Sequence, residues 1–367
     1  MGNITEYVEN NMNTFDAMAF NAVDSLVLSE LSYIRFDNIV PSISDGRTPV
    51  KMRDLLKAEL FASMFNSIRD TENHRRIFLA FSASPRFRNT CLDFYADISD
   101  PVLDKQFSAV TFFLEDNTAY IAYRGTDSSF VGWREDFNMA YMSSVPAQQE
   151  GVKYLNTVAG KMPSVRKLRV GGHSKGGNIA VYSAINCDLP VQERIETVYN
   201  HDGPGFKDNI FESTQFLAIQ GRIHTTLPEE ALIGMLLQHH EDYLVIKSSQ
   251  HGVLQHDPFT WNVEDGDFCY VPKIKSGALI RSKTLNEWLN SLSDENRKLF
   301  IDALFQLLDK TEYKSVHELS ESWQKGAASM LSMIKSSDPE IKRFIRKTMN
   351  ELAHLSVKNL FKQISQQ

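Results

Sequence analysis

Cysteine is scarce in this chain of 367 residues. Cys91, Cys187 and Cys269 have no paired spacing and form no C-x-x-C, which argues against a disulfide framework or a thiolate metal site and fits a reducing compartment or a fold that needs no cross-links. No run of about 18 apolar residues occurs, so no membrane-spanning helix is expected. The opening MGNITEYVENN lacks both the basic and the apolar regions of a secretory signal peptide. The expected setting is therefore cytoplasmic. Positive charge is also in deficit, with 39 Lys and Arg against 46 Asp and Glu for a net charge of −7, which argues against general nucleic-acid binding. Internal repeats and low-complexity tracts are absent.

Hydrophobic residues make up 42% of the chain and aromatics 11%, enough for a sizeable core. Helices are expected within residues 1–35, where Asp24 caps a stripe of Leu26, Val27, Leu28 and Leu31, and over 51–70 and 145–160. Residues 107–123 (FSAVTFFLEDNTAYIAY) alternate around a turn at Glu115-Asp116-Asn117 and read as a hairpin. Further strands are expected at 167–170, 196–200 and 243–247. Strands alternating with helices through the middle predict an α/β fold with a mostly parallel sheet covered on both faces. From residue 283 the apolar residues recur at helical spacing with no strands between. Two regions follow: 1–282, the α/β domain with its N-terminal helices, and 283–367, a helical C-terminal region. The last 27 residues hold six Lys or Arg against one Glu. A basic amphipathic helix of this kind either contacts an anionic membrane surface peripherally or presents a solvated face.

The densest chemical signal is GGHSKGG at 171–177. It contains G-x-S-x-G, the pattern of a strained strand-to-helix turn that exposes a serine Oγ. The pattern is short enough to arise by chance, so its surroundings must carry the reading. Lys167–Val170 can be a strand, and Asn178–Ile185 places Ile179, Val181, Tyr182 and Ile185 at helical spacing with small residues between. A helix beginning beside Ser174 aims its positive end where an oxyanion would form.

A serine hydroxyl becomes a nucleophile when a histidine takes its proton and an acid orients that histidine. In hydrolases with this turn, the chain order is Ser, acid, His. His256, in QHDPFTW (255–261), lies past the expected strands in a loop broken by Pro258, where it could reach back over the turn. His251 is the second candidate. For the acid, Asp202 in HDGPG (201–205) directly follows the next expected strand, although Asp-Gly-Pro-Gly is also turn chemistry. Glu230 is the alternative, with Glu229 and Asp257 behind it. The oxyanion donors expected are the backbone N–H groups of Lys175, next to the serine, and Thr126, in YRGTD (123–127), whose hydroxyl could assist.

With YRGT, W-R-E-D (133–136) and GHSKGG together, residues 108–205 resemble the class 3 lipases of the α/β-hydrolase fold. More closely, the chain resembles the Mbeg1-like bacterial family through VDSLVLSELSYIRFD (23–37), AYRGTDSSFVGWREDFNMAY (122–141), GGHSKGGNIAVYSA (171–184), DGPGF (202–206), IGMLL (233–237) and QHDPFTW (255–261), covering about residues 15–310. The resemblance implies Ser174 as nucleophile, Thr126 and Lys175 as oxyanion donors, His256 as base, and a lid around 128–137. It implies hydrolysis of a small-molecule ester or lipid, and no metal or organic cofactor. One departure stands out. Class 3 lipases carry their acid in N-D-x-V-P, whereas the corresponding stretch here, Pro228 to Gly234, has no aspartate and sets Ala231 at the acid position. Either Glu230 substitutes or the acid has moved to Asp202. If neither serves, the fold is a binding or scaffold module with its helical tail as interaction surface.

Overall fold

In the computed structural model, residues 2–127, 129–207, 210–238, 242–308 and 339–364 are described. The strands are β1 (Val50–Lys51), β2 (Cys91–Asp100), β3 (Lys105–Phe113), β4 (Ala119–Tyr123), β5 (Leu168–His173), β6 (Ile195–His201), β7 (Ile223–Pro228), β8 (Tyr243–Ile246), β9 (Val263–Glu264), β10 (Asp267–Phe268) and β11 (Tyr270–Val271). Nine form one mixed sheet in the order β1-β2-β3-β4-β5-β6-β7-β8-β11, and β9 pairs with β10 alone. The centre, from β4 to β8, is parallel; the edges are antiparallel. The helices are α1 (Ile4–Asn10), α2 (Ala22–Leu31), α3 (Ala58–Met64), α4 (Thr71–Ala83), α5 (Phe130–Asn138), α6 (Pro146–Lys161), α7 (Lys175–Asn186), α8 (Leu189–Gln192), α9 (Thr214–Ile219), α10 (Ser276–Ser291), α11 (Asp294–Leu308) and α12 (Pro339–Ile364). Among the described residues, no helix is long and apolar enough to cross a membrane.

Two apolar cores form, one on each sheet face. The first joins α1, α2 and α4 to residues such as Val110, Phe112 and Tyr120. The second joins α6, α7 and α9 to Ile121, Val170 and Val198. Alternate residues of a strand point to opposite faces, so β4 supplies Tyr120 to one core and Ile121 to the other. The expected hairpin is β3–β4, with Asn117 in a left-handed conformation at its turn (φ 63°). Because β4, β5, β6 and β7 are parallel, their C-terminal ends open on one edge of the sheet, where an α/β fold places its ligands. The register sets Tyr123 beside Gly172 and His173 beside His201, so the segments after β4, β5 and β6 meet.

Several expectations change in detail. The helix expected over 51–70 shrinks to α3, because Val50 and Lys51 pair with Leu92 and Cys91 as an edge strand. Strand β2, which no expectation covered, completes that edge. Helix α2 is buried on all sides rather than along a stripe, since every residue from Val23 to Leu31 is covered. Its cap is Asn21. Asp24 closes the capping box from the third position by accepting from the Asn21 N–H at 3.0 Å. The boundary expected between 282 and 283 falls inside α10, which packs on α12 and sends the Trp288 indole N–H to the Thr348 carbonyl at 3.0 Å.

Asp24 also anchors the N-terminal layer. Fully buried Arg86 donates to both of its oxygens, at 2.9 and 2.5 Å, and to the carbonyls of Asn13, Met18 and Ala19. The Tyr7 hydroxyl adds a third donor at 2.8 Å. Removing one member of so complete a buried pair strands the other charge. Arg86→Leu is therefore expected to lower unfolding free energy by about 3–5 kcal/mol, measured by urea denaturation; a loss below about 1 kcal/mol would show that Asp24 finds other partners.

Candidate active site

Ser174 sits between β5 and α7 with φ 57° and ψ −131°, a left-handed backbone that a side-chain-bearing residue adopts only under constraint. The constraint is steric. A Cβ on Gly172 would lie 2.3 Å from the Gly176 carbonyl carbon and 2.6 Å from the Tyr123 carbonyl oxygen; one on Gly176 would lie 2.1 Å from that same oxygen. Only glycine lets β4, β5 and the first turn of α7 approach this closely. The Ser174 N–H donates to the His201 carbonyl at 2.9 Å, tying the turn to β6.

The Ser174 Oγ lies 2.9 Å from Nε2 of His256, and Nδ1 of His256 lies 2.6 Å from Oδ2 of Asp202. Three residues distant in sequence thus form one hydrogen-bonded chain. Asp202 is fully buried and also left-handed (φ 51°). Its N–H donates to the Thr226 carbonyl at 2.9 Å, and its second oxygen accepts the Gly234 N–H at 3.1 Å. His256 ends a short 3-10 helix (Gly252–His256). Burial pushes its ring below the ordinary histidine pKa; Asp202 opposes this, while His173 and Arg69 act in the same direction as burial.

The other expected residues are elsewhere. Glu230 accepts from Lys275 at 3.0 Å and from the Gly252 N–H at 3.0 Å, with Arg281 at 3.4 Å. The Lys275 bond is the main cause that holds its carboxyl below the usual range. Its own N–H donates to Gln255. Glu230 therefore braces the segment that carries His256 without touching the imidazole. Glu229 pairs with Lys275, and His251 is 87% exposed. Asp257 caps the Phe259 N–H and lies 3.8 Å from Arg69. Ala231 is buried in a small satellite core. His239 and His240, which flank the Leu232–Leu237 run, lie outside the described residues.

Thr126 and Lys175 both line the cavity beside Ser174. Neither backbone N–H has an acceptor among the described residues, so both are free to face a developing negative charge. The Thr126 hydroxyl is not free, because it donates to Asp136. Burial is the main cause that lifts the Asp136 carboxyl to about 7, against the opposing influence of Lys175 and Thr126. The Lys175 side chain turns inward and donates to Glu135 at 3.0 Å and to Gln106 at 2.7 and 2.9 Å. Glu135 in turn accepts from the Gln106 and Ala147 N–H groups. This network fixes the second turn of α5, through Glu135, against α7 and β3.

Above the serine lies a cavity of about 820 Å³. Its apolar lining includes Leu232, Ile233 and Leu236, with Leu285, Trp288 and Leu289 of α10 and Phe300 and Ile301 of α11. Its polar lining includes Arg69, Gln250, Asp257 and Thr260. Trp133, Phe137, Val253 and Leu254 are exposed apolar residues that also line it. The part played by α10 and α11 had no signal in their sequence, since a helix face that walls a cavity reads the same as one that fills a core. His173 and Glu30, which lie behind His256, were also missed; His173 stood within the motif as an unassigned position. Among the described residues, no group of His, Cys, Asp and Glu is arranged to hold a metal ion.

The Mbeg1-like family model matches residues 81–306. Among solved structures, the crystal structure of M37 lipase aligns at 16% identity over 57% of this chain and 68% of that one, with a TM-score of 0.36, a distance at which the likeness carries no argument. No curated protein matches the chain.

Two outcomes are expected from this geometry. Gly176→Ala forces a Cβ into the Tyr123 backbone, and since neither segment can yield cheaply the protein should lose about 3 kcal/mol or more of stability; an unchanged melting temperature would count against the packing described. The His256 ring, followed by NMR, should take up its proton below the ordinary value of 6.5, so the neutral ring persists into mildly acidic solution.

Proposed function

The chain belongs to the Mbeg1-like family, and we propose that it is a serine hydrolase of the α/β-hydrolase fold that cleaves carboxylic esters, lipid esters among them, through an acyl-serine intermediate. The observation that carries this reading is the Ser174–His256–Asp202 chain, at 2.9 and 2.6 Å, beneath a largely apolar cavity.

His256 Nε2 takes the Ser174 proton as Oγ attacks the ester carbonyl carbon. The carbonyl oxygen becomes an oxyanion and accepts from the Thr126 and Lys175 N–H groups. Asp202 holds Nδ1–H and stabilises the imidazolium formed in this step. The tetrahedral intermediate collapses, the C–O bond to the alcohol breaks, and His256 returns the proton to the leaving oxygen. Water then repeats the sequence on the acyl-serine, with His256 again as base, releasing the carboxylic acid. The neutral ring favoured by burial is the form the first step requires. The apolar lining from Leu232–Leu236, α10 and α11 suits the acyl chain, and the polar lining residues Gln250 and Thr260 suit the alcohol. The exposed Trp133, Phe137, Val253 and Leu254 give the rim an apolar surface suited to an aggregated lipid. The segment 129–137 is the element to move as a lid, a motion that would break the Arg134 pairs to Asp302 and Asp104. In this reading α10 and α11 cap the site.

The scaffold alternative draws its main support from the absent acid in Pro228–Gly234; Asp202 at 2.6 Å from His256 Nδ1 favours the hydrolase reading over it. A fluorophosphonate probe should label wild type and not Ser174→Ala. On p-nitrophenyl esters, Asp202→Asn should lower kcat by about 10³–10⁴-fold, while Glu230→Gln, whose loss loosens a brace, should cost under about tenfold. Failure to label wild type, or full activity in Asp202→Asn, sinks the proposal. Leu289→Trp, which fills the wall, should shift preference from dodecanoyl towards butanoyl esters.

A further inference from the structure

The turn after α2, within the VDSLVLSELSYIRFD stretch that the ester chemistry leaves aside, brings one more polar group to the reaction centre. Tyr33 lies two residues past Leu31, the end of α2, and is only 6% exposed. Its N–H donates to the Glu30 carbonyl at 3.1 Å, and its ring packs on that of His74 at 5.7 Å between centroids. Backbone and ring are thus both held. The hydroxyl at the tip reaches Gly125. A Cβ placed on Gly125 would lie 2.2 Å from the Tyr33 Oη, 2.6 Å from the His173 carbonyl oxygen and 3.3 Å from the Ser174 Cβ. The hydroxyl therefore stands no farther from the Ser174 Cβ than the first and last of these distances laid end to end. It is pressed against the residue that precedes Thr126, between the oxyanion loop and the nucleophile. Tyr33 is also one of the residues that line the cavity above Ser174.

A buried tyrosine hydroxyl ordinarily finds a partner. Other tyrosines of this fold do so inside the protein. Tyr7 donates to Asp24 at 2.8 Å, Tyr95 to Asp97 at 3.2 Å, and Tyr123 and Tyr154 to the Gly151 and Phe94 carbonyls, each at 2.7 Å. Tyr120 meets the hydroxyls of Ser25 and Ser29 at 2.7 and 2.9 Å. The Tyr33 hydroxyl has no hydrogen-bond partner among the described residues, so the partner left to it is whatever the cavity holds. Burial, and then the Glu30 carboxylate, raise its pKa well above the ordinary tyrosine value. The group therefore keeps its proton and can donate. The Thr126 hydroxyl, by contrast, is already spent on Asp136.

We propose that the Tyr33 hydroxyl is a third donor to the oxyanion, a catalytic residue that fills the part expected of the Thr126 hydroxyl. The inference rests on the acyl-transfer reading of the site. As Ser174 Oγ bonds to the ester carbon, the π pair of the carbonyl moves onto its oxygen. That oxygen then accepts from the Thr126 and Lys175 N–H groups and from Tyr33 Oη–H. No proton leaves the tyrosine, and the bond weakens again when the C=O re-forms and the alcohol departs. Because the ring is fixed before a substrate arrives, this donor costs no reorganisation during the reaction. The glycine of YRGT acquires a reason as well, since a side chain at Gly125 would overlap both the hydroxyl and the His173 carbonyl.

Tyr33→Phe removes one oxygen and leaves no described group unpaired, so its melting temperature should match wild type. On p-nitrophenyl butanoate its kcat should fall about 10²-fold with KM within about twofold. Butylboronic acid forms a tetrahedral adduct on a serine nucleophile, and its affinity should fall by a similar factor. In a crystal structure of the wild-type adduct, a boronate oxygen should lie within about 3 Å of the Tyr33 Oη. A Tyr33→Phe kcat within about threefold of wild type overturns the proposal. So does a loss confined to KM, which marks a group that binds the substrate without favouring its transition state. An adduct whose oxygens avoid Oη overturns it too, as does a variant that fails to fold, because a hydroxyl without a protein partner is not needed for folding. Each of these leaves the hydrolase reading standing. A wild type that neither turns over an ester nor binds the boronate overturns both.

Discussion

The structure depends on backbone meeting backbone at Gly172 and Gly176, where the end of β4, the end of β5 and the first turn of α7 come within a distance that excludes any Cβ. That approach forces Ser174 into its left-handed conformation and lifts its Oγ clear of the fold. It also sets the neighbours. Once β5 stands against β4 on one side and β6 on the other, Thr126 and Asp202 follow from the register, because they lie three residues beyond β4 and one beyond β6. The strain at Ser174 and Asp202 is sustained by the surrounding parallel strands and by the hydrogen bonds to His201 and Thr226.

Much of this was legible because the informative residues are local. The glycines around Ser174, the small residues of α7 and the alternation in β3 and β4 declare their structure within a few positions. His256 was recognisable from its loop and its place in chain order. The carboxylate that bonds His256 could not be fixed from sequence, since Asp202 and Glu230 both follow strands of the parallel set and both follow the serine. What separates them is direction: Asp202, one residue beyond β6, points at the imidazole, whereas Glu230 is taken up by Lys275 and the Gly252 N–H. The helix expected over 51–70 failed for a related reason, because pairing of Val50 and Lys51 with β2 outweighs local helical spacing.

Helix α2 shows a different limit. Its sequence, AVDSLVLSEL, reads as a helix with a few polar interruptions. In the fold those interruptions are the content. Asp24 holds Arg86 and Tyr7, and Ser25 joins Tyr120 to His201. A buried polar group must be satisfied or it destabilises the fold, so this helix can occupy only one position beneath the sheet. An N-terminal segment that seems an accessory to the α/β core thus helps to fix the geometry at the strand ends.

Helices α10 and α11 supply Leu285, Trp288, Leu289, Phe300 and Ile301 to the cavity lining, beyond the stretch from Thr126 to His256 that holds the triad and backbone donors proposed to react. Under the proposed function, part of the selectivity is therefore encoded apart from the chemistry. Exchanges among Leu285, Leu289, Phe300 and Ile301 reshape the space available to a bound chain while the elbow and its partners stay as they are. Under the proposed function, a protein built this way can change what it accepts without touching the groups that react.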